Sequence, residues 1–187
     1  RHCPRRVRRR ARKPDGKNES RRQSHDTRID AGSISFEKSN YSIPNIINHA
    51  ISELTTRADN EKKEIVIDGD LEQMLYCDIE WTGEAIGNII KNALDHTDTG
   101  GKISISWEQT PAMIRIFITD NGHGISQEDI HHIFKRFYRS KNTSESQGIG
   151  LGLPLAKAIV EGQGGILSVQ SELLQGTTFT LSFLTES

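Results

Sequence analysis

The chain has 187 residues, enough for one ordinary domain with or without an appended tail. Hydrophobic residues make up 34% and charged residues 26%, and two cysteines, Cys3 and Cys77, cannot build a disulfide scaffold and lack metal-ligand spacing. With no apolar run near the roughly eighteen residues of a membrane span, this composition excludes a membrane-spanning segment in the chain, a cysteine-rich secreted module and a wholly disordered polymer, and it favours a reducing, cytoplasmic setting.

The formal charge of −1 averages two unlike parts. Residues 1–30 hold twelve Lys/Arg and four Asp/Glu, whereas residues 31–187 hold twelve and twenty-one. The first thirty residues carry only Cys3, Val7, Ala11 and Ile29 as apolar side chains, too few to offset the entropy cost of ordering. Residues 1–29 are therefore expected to be a disordered basic tail, whether native or a gene-boundary artefact, and residues 30–187 a folded domain. The tail lacks the apolar stretch of a secretory signal. No aromatic side chain interleaves the arginines around Val7, so base stacking has no support and no nucleic-acid partner is expected.

Along the body, residues 33–36 read as a short strand. Ser42 can cap a helix whose first turn holds Pro44. Ile43, Ile46, Ile47, Ala50, Ile51 and Leu54 recur at helical spacing, predicting a helix to about Ala58. Residues 64–67 and 74–77 read as strands. Residues 78–96 form a second amphipathic helix through Trp81, Ala85, Ile86, Ile89, Ile90, Ala93 and Leu94, ended by Thr99-Gly100-Gly101. Alternating strands follow at 102–108 and 113–119, then a Gly-rich turn, a short helix near 127–133 and a polar loop at 140–147. Pro154 opens a helix to about Glu161, and strands at 166–172 and 177–183 flank Gln175-Gly176. Mixed elements with adjacent hairpins predict an α+β, two-layer sandwich: a mixed, mostly antiparallel sheet with helices packed on one face.

Two glycine clusters stand out. Asp120-Asn121-Gly122-His123-Gly124-Ile125 follows a predicted strand, and Gly148-Ile149-Gly150-Leu151-Gly152-Leu153-Pro154 precedes a helix. Glycines allow close backbone approach and positive φ, and a helix N-terminus beyond them suits phosphate. Known phosphate motifs do not fit. The P-loop pattern ending at Gly101-Lys102 would need Ser or Thr where Ile103 stands, and a dinucleotide fingerprint from Gly148 would need glycine at Leu153. Asn88 and Asn92, four residues apart, share one helix face beside Ile89 and Ala93. Amides near a buried side need partners, which a metal with its waters, phosphate or plain core hydrogen bonds would supply.

Together these segments resemble the catalytic, ATP-binding domain of sensor histidine kinases, within the superfamily that includes gyrase, Hsp90 and MutL, and the resemblance covers roughly residues 30–187. Four boxes stand in family order: Asn88-Ile89-Ile90-Lys91-Asn92-Ala93-Leu94-Asp95-His96-Thr97, the first glycine cluster, Ile133-Phe134-Lys135-Arg136-Phe137-Tyr138-Arg139, and the second glycine cluster. The resemblance implies a Bergerat-type ATP-binding fold with ATP and Mg²⁺ as cofactors. It implies that Asn92 ligates Mg²⁺ with Asn88 in support, both counting as catalytic. Asp120 would accept from the adenine amine, with Gly122, Gly124 and Ile125 beside the purine. Tyr138 and Arg139 would lie near the nucleotide, and Gly148, Gly150, Leu151, Gly152 and Leu153 would clasp the phosphates under a mobile lid at 140–147. Phe134 and Phe137 would pin the lid base or simply pack the core, and Arg136 and Arg139 would steer phosphate or lie solvated.

One position departs from the family. Many members carry Lys or Arg three residues after the second asparagine, where this chain has Asp95, which puts that phosphate contact in doubt. The gyrase, Hsp90 and MutL branch has a water-activating Glu where Asn88 stands, and an amide is no general base at neutral pH. Glu84, a further turn upstream, is expected to be out of reach. Phosphoryl transfer to a histidine on a separate dimerising hairpin is therefore expected rather than fast hydrolysis; the alternative is a degenerate nucleotide-binding module without kinase activity. Ser24-His25-Asp26-Thr27-Arg28 lacks the apolar residue and Thr-Pro of the family's acceptor box, so the acceptor hairpin is expected to be missing and the chain truncated near Ile29-Asp30-Ala31-Gly32. A monomeric fragment is expected, from a parent anchored in the cell membrane and signalling to a response regulator. His131 and His132 read as surface residues, and Trp81 and Trp107 as core or sheet-edge residues.

Overall fold

The computed structural model describes residues 35–139 and 149–185. Residues 1–29, the stretch around His25, residues 29–32, Gly148 and the predicted lid at 140–147 lie outside the described residues. From Phe36 onward the chain is one unit.

Among the described residues the first strand is β1 (Ser39–Ser42); of the expected strand at 33–36, residues 35 and 36 are in no ladder and the other two lie outside the described residues. Phe36 is held by side-chain packing instead: its ring meets Trp81 edge-on at 6.3 Å between centroids. The next N–H, that of Glu37, goes to Asp78 Oδ2 at 2.8 Å rather than into a ladder. Helix α1 (Ile43–Ile51) starts after extended Ser42, with Pro44 in its first turn, where a missing N–H is harmless. The helix predicted to reach Ala58 is divided. Ser52 Oγ bonds back to His49 O at 3.2 Å, and α2 (Leu54–Asn60) begins two residues later. Ser52 itself keeps right-handed dihedrals (φ −51°, ψ −35°), which is why the apolar period carries across the interruption into buried Leu54 and Ala58.

Strand β2 (Glu64–Asp68) is followed by β3 (Met74–Cys77), which pairs only with β1 in a separate two-stranded ribbon. Helix α3 (Ile79–His96) is capped by Asp78, whose side chain accepts from Trp81 N at 3.1 Å. Then come β4 (Lys102–Gln109), β5 (Met113–Asp120), the single turn α4 (Gln127–Ile130), α5 (Gly152–Gly162), β6 (Ile166–Glu172) and β7 (Gly176–Leu184). The main sheet has order β2-β4-β5-β7-β6; only β2–β4 is parallel. This is the expected mixed, mostly antiparallel sheet, with α3 and α5 packed against one face of it and α1 packed on α3.

Alternation decides which side chains enter the core. Ile103, Ile105 and Trp107 of β4, Ile114, Ile116 and Ile118 of β5, and Phe179, Leu181 and Phe183 of β7 point inward. The core also holds Ile43, Ile46 and Ile47 of α1, Ile86, Ile89, Ile90 and Leu94 of α3, and Ala156, Ile159 and Val160 of α5, all fully buried. Each such aliphatic side chain contributes about 1.5–3 kcal/mol by leaving water. Trp81 and Trp107 both belong to this core, with Trp107 Nε1 donating to Asp70 O at 2.9 Å. Cys77 is buried and free, and burial pushes its thiol up to about 11, which makes it a packing residue rather than a nucleophile.

Candidate functional site

Three segments far apart in sequence meet at one end of the sheet: the C-terminal half of α3, the turn after β5, and the start of α5. On α3, Asn88 and Asn92 lie half-buried on one stripe, beside the buried row of Ile89 and Ala93. Asn88 Nδ2 donates to Glu84 Oε1 at 3.3 Å. The Asn92 amide has no hydrogen-bond partner among the described residues. A side chain on Gly152, the first residue of α5, would place its Cβ 3.4 Å from Asn88 Oδ1. The second glycine cluster therefore touches the asparagine helix directly.

Asp120 ends β5 on its inward face and is 4% exposed. Its Oδ1 accepts from Gly122 N at 2.9 Å. Burial raises the carboxyl above its ordinary value, while the backbone N–H groups of Gly122 and Thr177 and the nearby His123 pull it back down. Gly122 is obligatory on steric grounds: a Cβ there would lie 2.1 Å from the His96 carbonyl oxygen. The same turn is stitched to α3 by His123 N to His96 O at 3.0 Å, and to the β6–β7 turn by Leu174 N to His123 O at 2.8 Å. His123 Nε2 also lies 3.1 Å from Asp98 Oδ2. Ile125 N donates to Ser171 Oγ at 2.8 Å. Gly124 has φ +70°, and a Cβ would strike the Glu172 carbonyl oxygen at 2.0 Å. Burial also lowers His96, with Asp95 opposing that shift and His123 adding to it.

The phenylalanine box divides in two. Phe134 is half-buried and packs edge-on against the core residue Phe179 at 6.3 Å, beneath Lys157 Nζ at 4.9 Å. Phe137 is 68% exposed and adopts φ +63°. Its N–H donates to Gly150 O at 3.0 Å, which ties this box to the second glycine cluster. Tyr138 is half-buried and donates its hydroxyl to Asp129 Oδ1. Arg139 is exposed, and Leu151 and Leu153 are half-buried where α5 begins. His131 is exposed as expected, whereas His132 is half-buried against the Tyr138 ring, 5.4 Å between centroids.

Asp95 is engaged by a neighbouring helix. Its Oδ1 accepts from Arg57 Nη2 of α2 at 2.6 Å. Arg57 Nε also bonds Glu61 Oε1 at 2.6 Å, and Lys63 Nζ joins Glu61 Oε2 and Leu94 O, each at 2.6 Å.

Sequence reasoning passed over Thr177 and Ser171. Thr177 is 5% exposed and lies opposite Asp120 in the β5–β7 register. Its hydroxyl is 2.9 Å from Ser171 Oγ, which also bonds Gly176 O at 2.9 Å. The signal was present: Thr177 is a polar residue on the inward face that Phe179, Leu181 and Phe183 share. Thr97, at the end of α3, is a second such residue; its buried Oγ1 has no partner among the described residues.

The donor set fits Mg-ATP on this geometry. Side-chain amide oxygens suit a hard, partly hydrated cation, the buried carboxylate suits an amine edge, and a helix N-terminus such as the start of α5 suits phosphate oxygens. Residues 77–187 match the family described as Histidine kinase-, DNA gyrase B-, and HSP90-like ATPase, and the chain belongs to that family. The heme sensor protein HssS of Staphylococcus saprophyticus is 41% identical over 123 residues, which are 65% of this chain and 26% of that protein. The chain thus spans about a quarter of that relative's length. Among solved structures, the mycobacterial sensor histidine kinase MprB superposes with a TM-score of 0.69 at 25% identity, covering 79% of this chain and 97% of that one. Histidine kinase ThkA, solved in complex with response regulator protein TrrA, shares the fold at a TM-score of 0.70 and 20% identity, covering 90% of this chain and 48% of that one.

Proposed function

We propose that residues 30–187 form the ATP- and Mg²⁺-binding catalytic domain of a two-component sensor histidine kinase, preceded by a separate basic tail. The reading is carried by one observation: Asp120, the Asn88–Asn92 stripe and the Gly150–Gly152 turn are gathered at one place by three distant segments.

In this reading Asp120 accepts a hydrogen bond from the adenine exocyclic amine, and Gly122, Gly124 and Ile125 let backbone lie beside the purine. A guanine would present a carbonyl to the same carboxylate, so selection for ATP includes repulsion of the wrong base. Asn92 holds the cation through its amide oxygen and Asn88 supports it. Gly148, Gly150, Leu151, Gly152 and Leu153 surround the phosphates, with Tyr138 and Arg139 at the rim. When bound, Mg²⁺ neutralises charge on the phosphates. The imidazole of a histidine on a separate dimerising hairpin attacks the γ-phosphorus, and the bond to the bridging oxygen breaks, releasing ADP. The domain contributes position and charge stabilisation. An amide at position 88 removes no proton from water, which favours transfer over hydrolysis. The phosphoryl group then passes to a response regulator. The parent protein is anchored in a membrane; among the described residues of this chain no helix is long and apolar enough to cross one. On its own this chain is monomeric.

The test supplies γ-labelled ATP, Mg²⁺ and a histidine-bearing dimerisation hairpin in trans. Acid-labile, base-stable label on the hairpin, lost with Asn92→Ala, is expected. Tight ATP binding with no label on any hairpin supplied would replace the kinase reading with that of a nucleotide sensor.

A further inference from the structure

We propose that Glu84 is a positioning residue for the metal site: it orients the Asn88 amide so that the oxygen, and not the nitrogen, is presented toward the nucleotide side. The proposal rests on the reading of Asn88 and Asn92 as the cation pair.

Glu84, Asn88 and Asn92 follow one another at four-residue spacing and so form one stripe along α3. Glu84 is half-buried, and its Oε1 receives the Asn88 Nδ2 hydrogen bond at 3.3 Å. A carboxylate offers only lone pairs, so the end of the amide that faces it must be the NH₂. The same placement of the amide turns its other end toward α5. Among the atoms of Asn88, Oδ1 is nearest to where a Cβ on Gly152 would stand, at 3.4 Å. The nitrogen is turned back along α3 and the oxygen toward the start of α5.

Rotation of an amide about its last torsion is broad and roughly two-fold. Without an acceptor at position 84, the nitrogen would face the cation for part of the time, and apparent affinity falls by the competent fraction. That alone gives about a two-fold loss. Partners that orient metal ligands typically matter by about 10-fold or more when removed. Glu84 does not act by touching the metal itself. It lies eight residues from Asn92, about 12 Å along the helix at 1.5 Å per residue.

The experiment uses the whole 187-residue chain. Calorimetric titrations measure ATP with Mg²⁺ and ATP with chelator, for the wild type, Glu84→Ala, Glu84→Met and Glu84→Gln. Methionine keeps the length and helix preference of glutamate without the acceptor, so it carries the test if alanine fails to fold. The Ala and Met variants should weaken Mg-ATP about three- to ten-fold and leave metal-free ATP within about two-fold, while Gln, which keeps an acceptor oxygen, restores the wild-type value. In nucleotide-free protein, the Asn88 side-chain NH₂ resonances (identified by their loss in Asn88→Asp) should move in Ala and Met and hold in Gln. Unchanged Mg-ATP affinity in Ala and Met overturns the proposal, as does equal weakening with and without metal. If the wild type binds no ATP at all, the nucleotide reading fails and the proposal with it. The NH₂ resonances would still report whether the Glu84–Asn88 bond exists, so the two failures are told apart.

Discussion

Replacing Asp120 by Asn is the sharpest probe of the site, because it keeps the shape and removes the charge. The carboxylate is 4% exposed and accepts from Gly122 N at 2.9 Å, with Thr177 N as a second donor. An amide retains one acceptor and turns its NH₂ toward the other N–H, leaving a donor unsatisfied at about 1–3 kcal/mol. Against that, the variant no longer buries a charge that burial itself disfavours, so the two effects oppose each other. Net stability should stay within about 1 kcal/mol, or about 2–4 °C in Tm. The effect on ligand is larger, because a hydrogen bond to a charged group contributes about 1.5–3 kcal/mol. That corresponds to roughly ten- to hundred-fold in Kd. Calorimetry with ATP and GTP should show weaker ATP binding and a smaller ATP-to-GTP preference, since an amide can donate to the guanine carbonyl. The pH response has a definite sign. The Asp120 carboxyl is raised in the folded state, so its stability contribution is greatest below the unfolded value and is lost as pH rises through the folded one. ATP affinity should run the other way, falling as pH drops through the raised value and the acceptor is protonated. A folded Asp120→Asn protein with wild-type ATP affinity and an unchanged ATP-to-GTP ratio would refute the assignment of the purine site.

Asn92→Ala removes a half-buried amide that has no partner among the described residues, and alanine is the better helix former by up to about 0.7 kcal/mol. Melting curves should therefore show an equal or slightly higher Tm, while Mg²⁺-dependent ATP binding is lost; a clear fall in Tm would mean that the amide is structural. Gly122→Ala puts a methyl group 2.1 Å from the His96 carbonyl, and overpacking against backbone of this kind costs about 1–3 kcal/mol, or about 2–12 °C. A thermally unperturbed Gly122→Ala protein would argue against the close contact between this turn and α3. Arg57→Ala breaks a partly exposed bridge to Asp95 and Glu61, which solvent screening limits to about 1 kcal/mol or less. The loss should be visible in urea melts at low salt and shrink at about 1 M salt.

Most of the fold was legible because its elements are long and strongly patterned. The alternation in β4, β5 and β7 and the apolar stripe of α3 placed those elements to within a residue or two. Two local errors have physical causes. Residues 35–36 look strand-like but are held by the Phe36–Trp81 ring contact and the Glu37–Asp78 bond, neither of which has a period. The interruption at Ser52 is invisible to periodicity because the dihedrals there stay helical. At the candidate site, the asparagine and glycine clusters stood out in the sequence because their chemistry is local to each, and the fold brings their segments together. The placement of Thr177, Ser171 and Glu84 beside them depends on which strands, turns and helix faces lie together. A single sequence shows that only indirectly, as a polar residue on an inward face or an acid at spacing four.

Asp95 shows why position within a box does not fix a side chain's effect. A lone carboxylate three residues beyond Asn92 would oppose a triphosphate across the rest of the site. Here it is one member of a chain of alternating charges: Asp95 to Arg57 at 2.6 Å, Arg57 to Glu61 at 2.6 Å, and Glu61 to Lys63 at 2.6 Å. The four formal charges cancel. The Lys63 hydrogen bond also draws the Glu61 carboxyl below its ordinary value, aided by Arg57. A compensated cluster projects a field that falls off faster than that of a single charge, and exposed charges are further screened within about a Debye length. The charge at position 95 is thus spent on fixing α2 to α3, and Lys63 completes the link by donating to Leu94 O at the end of the asparagine helix. The acid that departs from the family pattern therefore supports the element that carries Asn88 and Asn92, and it does so without leaving net negative charge beside them.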